Sequence, residues 1–337
     1  MVKHIKALTS LRGVAAILIV IHHYVGCVIP NFDKSIALYS KFFFNGYLCV
    51  DFFFILSGFI LTHIYANNFV TKVSIHNYRQ FLYSRFTRIY PLHIFMILLF
   101  LGVEFLKLGF FLFKSKSIFD PTNQSFLPFT DTQKIVALFN NIFMIQVLDL
   151  KSPQLFGDNT SWNEPTWSIS AEWIAYLLLP LLLFFLVKLP RIYDLVIYLT
   201  LLMCLFLLIK FTYGHLNFLG IPAISRCTLE AIIGIITYKV YYIGNFRKYL
   251  GHNFTVFLSL LCIFFIMHYD YQDILIVAAF SILILSVSIN TKNNSIILNA
   301  LKYSLVIYLG TIKFVELRMQ HYLKTTRFAK KYIFYGN

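Results

Sequence analysis

The sequence predicts an all-α fold, a polytopic transmembrane bundle of about nine to ten helices with its N-terminus in the cytoplasm, and three observations predict it. Of 337 residues, 59% are hydrophobic and only 13% charged, against roughly 25% charged in a soluble domain. The apolar residues fall in long runs, several of them near the ~20 residues that carry a helix across the hydrocarbon core. The basic residues collect at the ends of alternate runs, the positive-inside arrangement. The net charge of +15 therefore reports topology, and a nucleic-acid partner is not expected.

The first run, Leu8 to Ile29, follows Lys3 and Lys6 and carries Arg12 and His23 within it. It lacks a small-residue cleavage site, so it is expected to be a retained span and not a signal peptide. Phe42 to Tyr65 is the second span. Lys72, Arg79, Arg85 and Arg88 separate it from the third, Ile89 to Phe113, whose Pro91 suits a first-turn position or a kink. A polar connection from Lys114 to Pro165 is broken by Pro121, Pro128, Pro153 and Gly157. Inside it, Ile135 to Leu148 is apolar but short, and fits a re-entrant or interfacial helix better than a span. Spans four to nine follow at Ser168 to Val187, Ile192 to Ile209, Phe218 to Tyr241, Phe254 to Met267, Ile274 to Ile289 and Ser295 to Ile312. Residues 1–317 are expected to form one membrane domain. Residues 318–337 form a basic tail, read as abnormal or truncated because nine spans place it outside. The five cysteines lack metal-ligand spacing, so no metal site is expected.

Ionisable residues inside spans cost several kcal/mol unless paired or wet, and so mark functional candidates. Arg12 and His23 stand eleven residues apart, which on a helix places them on one face, separated by roughly 16 Å along the axis. A snorkelling arginine and a histidine bonded to a neighbouring helix are the plainer alternative. His22 lies about 80° off that face. Asp51 opens the run VDFFFILSGFIL and needs a cationic or hydroxyl partner at that depth, whereas Ser57 and Gly58 fit helix packing. Arg85 and Arg88 are neighbours on one turn and suit bidentate phosphate binding, or simple anchoring at the membrane surface. In PTWSISAEW, Trp167 sits where an interfacial belt residue would, and Glu172 lies unusually deep. Arg226 and Glu230, one helix turn apart, can neutralise each other.

LTSLRGVAAILIVIHHY, VDFFFILSGFIL, RFTRIYPLH and PTWSISAEW, with the weaker SRCTLEAIIGIITY, appear in this order over residues 8 to about 240. Together they resemble the acyltransferase 3 family of integral membrane O-acyltransferases. The resemblance implies that His23 and Arg12 match the family's essential histidine and arginine, and that Arg85 and Arg88 match its R-x-x-R pair. Asp51, Trp167, Glu172 and Arg226 match positions often polar or aromatic there. It implies an acyl-CoA donor, acetyl-CoA above all, and as acceptor a hydroxyl of an envelope polysaccharide or its lipid-linked precursor, at a bacterial inner membrane. Under that reading His23, Arg12, Glu172 and Asp51 are catalytic candidates. Arg85, Arg88 and Arg12 would hold the donor, while Trp167 and Arg226 would contact the acceptor. No permanently bound cofactor is expected. YSLVIYLGTIKFVE departs from the family by placing Gly310 and Thr311 where a histidine is usual. A lipid-linked sugar flippase and an inactive family member are the alternatives.

Overall fold

The computed structural model describes residues 5–28, 39–113, 128–129, 135–148, 162–163, 166–212, 214–216, 219–243 and 249–290. The expected ninth span and the basic tail lie outside the described residues. Nine α-helices run through the described part. They are α1 (Lys6–Val28), α2 (Cys49–Phe69), α3 (Ile75–Phe113), α4 (Ile135–Ile142), α5 (Trp167–Leu186), α6 (Asp194–Phe211), α7 (Ile221–Tyr241), α8 (Asn253–Tyr269) and α9 (Asp273–Ile289). Single 3₁₀ turns, Phe44–Leu48 and Arg191–Tyr193, lead into α2 and α6. Five segments are long and apolar enough to cross a bilayer, namely α2 with its leading turn, α3, α5, α6 with its leading turn, and α7. The apolar parts of α1, α8 and α9 are shorter. At 17 residues, α8 and α9 rise about 25 Å each. Eight of the nine expected spans thus appear as helices, six of them close to their expected limits, while the second begins later and the third earlier than expected.

Two differences stand out. The stretch read as a basic connection before the third span is helical, so α3 is a single helix of 39 residues with Pro91 inside it. Ser74 begins it, its hydroxyl accepting from the Asn77 N–H at 3.2 Å, which is the bond of an N-cap. No glycine or proline interrupts the chain before Pro91, and proline there removes one N–H without ending the helix. The apolar segment in the long connection is shorter than its pattern, with α4 only 8 residues long. Its rise of about 12 Å cannot cross a membrane.

The helices belong to two compact units. In the first, α1 packs on the Phe44–Leu48 turn, on α2 and on α9, and α9 also meets α2, α6 and α8. α2 and α7 touch backbone to backbone: a Cβ on Gly58 would lie 2.0 Å from the Ala231 carbonyl oxygen, and one on Gly234 would lie 2.1 Å from that of Ile55. This is the small-residue packing expected of Gly58, since lipid supplies no hydrophobic drive between helices and close backbone approach maximises dispersion. Lys239 of α7 donates to the carbonyls of Leu186 and Leu189, the last of α5 and its exit, and pairs with buried Asp194 at the start of α6. A lysine at a helix C-terminus satisfies carbonyls that have no intrahelical partner.

The second unit contains residues 82–174. Several of its buried polar groups are paired. His93 of α3 donates from Nε2 to the Asn141 carbonyl at 2.7 Å, a helix-packing contact. Ser170 donates to the Met144 carbonyl at 2.6 Å and accepts from the Val147 N–H. Glu104 is fully buried, with Lys107 at 2.7 Å and the Phe129 N–H at 2.7 Å.

Candidate active site

Two adjacent histidines on α1 hold different partners. His23 donates from Nδ1 to the carbonyl of Ile19, one turn back, at 2.7 Å. A carbonyl only accepts, so Nδ1 carries the proton and Nε2 is the basic nitrogen. His22 donates from its own Nδ1 across to the Phe43 carbonyl at 3.0 Å. Its ring stands edge-on to that of His23, centroids 5.0 Å apart. His22 also presses on Gly46, where a Cβ would come within 2.5 Å of the His22 Cβ. The off-face position of His22 is thereby explained: it docks α1 on the turn before α2, while His23 occupies the other face. Arg12, partly buried, precedes His23 by three turns of the same helix.

The turn that receives His22 is itself pinned. Asn45 donates to the Met267 carbonyl at 2.9 Å and to Asp270 at 3.0 Å, Lys41 reaches Asp270 at 2.7 Å, and the Tyr47 hydroxyl donates to Asp273 at 2.9 Å. The Lys41 ammonium, hydrogen-bonded to Asp270 and aided by Asn45, holds that carboxyl below its usual range.

Deeper in the same unit, Asp51 and Arg226 find each other. Both are fully buried, and Asp51 Oδ1 takes Arg226 Nε and Nη2 at 2.6 Å each. Arg226 Nη1 donates to the Leu216 carbonyl at 2.6 Å, and the Leu216 N–H donates to Asp273 at 2.6 Å. A continuous polar chain therefore runs from Tyr47 through Asp273 and Leu216 to Arg226 and Asp51. Glu230, one turn from Arg226, stands at 3.5 Å from its Nε. The expected Arg226–Glu230 pair exists, but Asp51, brought in by the Gly58 contact between α2 and α7, is the nearer partner.

Arg85, Arg88, Trp167 and Glu172 all fall in the second unit. Arg85 is buried, its Nη2 donating to the Ser84 hydroxyl at 3.0 Å, and Arg88 is partly exposed. Trp167 opens α5 and Glu172 lies just over one turn further on, both partly exposed. Beside the arginines an aromatic group gathers: Phe86 stacks on Tyr90 with centroids 4.3 Å apart and meets Trp173 edge-on at 5.8 Å. Tyr47, Asp273 and this aromatic group were not singled out from sequence. The i, i+4 spacing of Phe86 and Tyr90 was the available signal for the last; the first two pair across more than 200 residues and leave no local trace. Among the described residues no cluster of histidine, cysteine and acid side chains has the makings of a metal site.

Long apolar helices, packed through glycines around buried ion pairs and a paired-histidine face, define an all-α integral membrane protein. A family model described as an acyltransferase domain, acyltransferase 3, matches residues 5–311, and the chain belongs to that family. The chain is also similar to "Protein 2 in picA locus" of Rhizobium radiobacter, at 37% identity over 87 residues, which is 26% of this chain and 39% of that protein. The match thus spans well under two thirds of the relative's length. No solved structure matches the chain.

Proposed function

We propose that the protein transfers an acetyl group from acetyl-CoA to a hydroxyl of a cell-envelope polysaccharide or of its lipid-linked precursor. The N-terminus would lie in the cytoplasm of a cell whose inner membrane holds the protein. One observation carries the chemistry: the Nδ1–H of His23 is committed to the Ile19 carbonyl, which presents Nε2 as a base in the neutral ring. In the proposed step the acceptor hydroxyl oxygen attacks the thioester carbonyl while Nε2 takes its proton. The carbon–sulfur bond then breaks, and the departing thiolate receives that proton. General-base assistance of this kind is worth roughly 10²–10⁴-fold.

Family membership supports an acyl donor, and donor phosphates are matched by guanidinium forks. Arg85 and Arg88, and Arg12 on the histidine helix, are assigned to those phosphates. Trp167 and Glu172, both partly exposed, are assigned to the acceptor. Asp51 and Arg226 are assigned as positioning residues, because each is buried against the other and is linked toward the histidine helix through Asp273, Tyr47 and the turn that docks His22.

The test is the ester-acetate content of the surface glycan, measured by NMR before and after mild alkali. Cells lacking the gene would be complemented with wild type, His23→Ala or a family-unrelated control. Acetate restored by wild type and not by His23→Ala is the expected result. Acetate equally restored by His23→Ala would remove His23 from the reaction, and glycan export lost with acetylation intact would point to a transporter.

A further inference from the structure

Three acids surround a single guanidinium in the buried end of the first unit. Asp51 faces it from α2, Glu230 from α7 and Asp273 from α9, with Tyr47 as the remaining titratable group of the chain of contacts. The partners are unequally shared. Asp51 Oδ1 takes two guanidinium nitrogens at 2.6 Å, and the Leu216 carbonyl takes the third. Asp273 is satisfied separately by the Leu216 N–H and the Tyr47 hydroxyl. Glu230 is left with the long 3.5 Å approach to a nitrogen already committed to Asp51. It is 0% exposed, and neither of its oxygens accepts a hydrogen bond. The outer oxygen of Asp51, Oδ2, is likewise buried without a donor, and both side chains stand against the same Arg226 Nε, Asp51 at 2.6 Å and Glu230 at 3.5 Å.

An ionised carboxylate in this position would be an uncompensated buried charge, which costs several kcal/mol. A single proton between the two carboxyls removes the excess charge and satisfies two orphaned oxygens together. We propose that Glu230 is a proton-binding site: it stands as a buried carboxylic acid at neutral pH and donates its hydrogen bond to Asp51 Oδ2. The residue left charged at the centre is then the Asp51–Arg226 pair, with Glu230 as a neutral third member. The assignment is independent of the acyl-transfer reading.

Infrared spectroscopy of the full-length protein in lipid nanodiscs tests it. At neutral pH the wild type should show the carbonyl stretch of a protonated carboxyl, and that band should move when only glutamate carries ¹³C. Exposed acids are ionised at that pH and do not contribute. Glu230→Gln, which copies a neutral acid in shape and charge, should lose the band and keep the wild-type melting temperature. Absence of any glutamate-sensitive band in wild type would overturn the proposal, as would its persistence in Glu230→Gln. A melting loss in Glu230→Gln as large as that of Asp51→Asn would overturn it too, by showing that Glu230 supplies a needed negative charge. Disappearance of the band on adding sodium chloride in place of choline chloride would mean that the ligand is a metal cation and not a proton.

Discussion

Replacing Gly58 by alanine tests whether the contact of α2 with α7 holds the buried charges together. The new Cβ would stand 2.0 Å from the Ala231 carbonyl oxygen and 2.8 Å from its carbon, where ordinary contact begins at 3.4 Å. Both neighbours are main-chain atoms, so no side chain can turn away, and the helices must part by about 1.4 Å locally. Overpacking of this sort costs about 1–3 kcal/mol. The same displacement pulls Asp51, two turns along α2, from its 2.6 Å contacts with Arg226, and a charged hydrogen bond contributes about 1.5–3 kcal/mol. Against these stands a gain of about 1 kcal/mol for alanine over glycine inside a helix. The balance is a loss of about 1.5–5 kcal/mol, at least ~10-fold in the folding equilibrium. Gly102 of α3 supplies the internal control, since a Cβ there meets nothing within 4 Å, and Gly102→Ala should be neutral or slightly stabilising. The assay is thermal unfolding of the purified protein in one detergent, with the two variants side by side. Equal melting of Gly58→Ala and Gly102→Ala would refute the reasoning.

Two further outcomes follow from the buried and exposed ion pairs. Asp51→Asn leaves Arg226 buried without its nearest counter-charge and should cost about 3–5 kcal/mol; the double variant Asp51→Asn/Arg226→Gln should recover part of that loss in a thermal-melt mutant cycle. Asp270, held below the usual carboxylate range by Lys41, stabilises the fold above its unfolded value of about 4, and that contribution fades as pH falls through the lower folded value. Both side chains are substantially exposed, at 54% and 40%, so Asp270→Asn should shift stability at pH 7 by no more than about 1 kcal/mol, with the difference vanishing in strong acid and shrinking in high salt.

Hydropathy made the bundle legible because the segments that must be apolar to face lipid are also the segments that become helices. Its failures were those of composition taken for conformation. Residues 75–88 stand outside the apolar run because Arg79, Arg85 and Arg88 interrupt it, yet with a serine cap before them and no glycine or proline among them they continue α3. The candidate site divided along the same line. The place of His23 on a helix face was legible because helical periodicity is a local property, and the packing of Gly58 because small residues at depth have few other uses. The partner of Asp51 was not legible, since it lies 175 residues away. Arg226 offered a local answer in Glu230, four residues on, and that pair is present at 3.5 Å as the farther of the two. Which acid wins is decided by how closely α2 and α7 approach, and that distance is written in two glycines far apart in the chain.

The length of α3 bears on the donor binding proposed for its arginines. At 39 residues it rises about 58 Å, nearly twice the ~30 Å of the hydrocarbon core, so a large part of it must stand clear of the lipid tails. Arg79, Arg85 and Arg88 occupy its first half, Arg79 exposed, Arg88 partly exposed and Arg85 buried. Guanidinium groups mounted on a pre-formed rod lose little backbone freedom when an anion arrives, so most of the attraction survives as affinity. Under the proposed donor role, inserting a pair of glycines after Arg79 would convert the rod into a hinge while leaving every charge in place, and a weakening of acyl-CoA binding would measure how much of it belongs to stiffness alone.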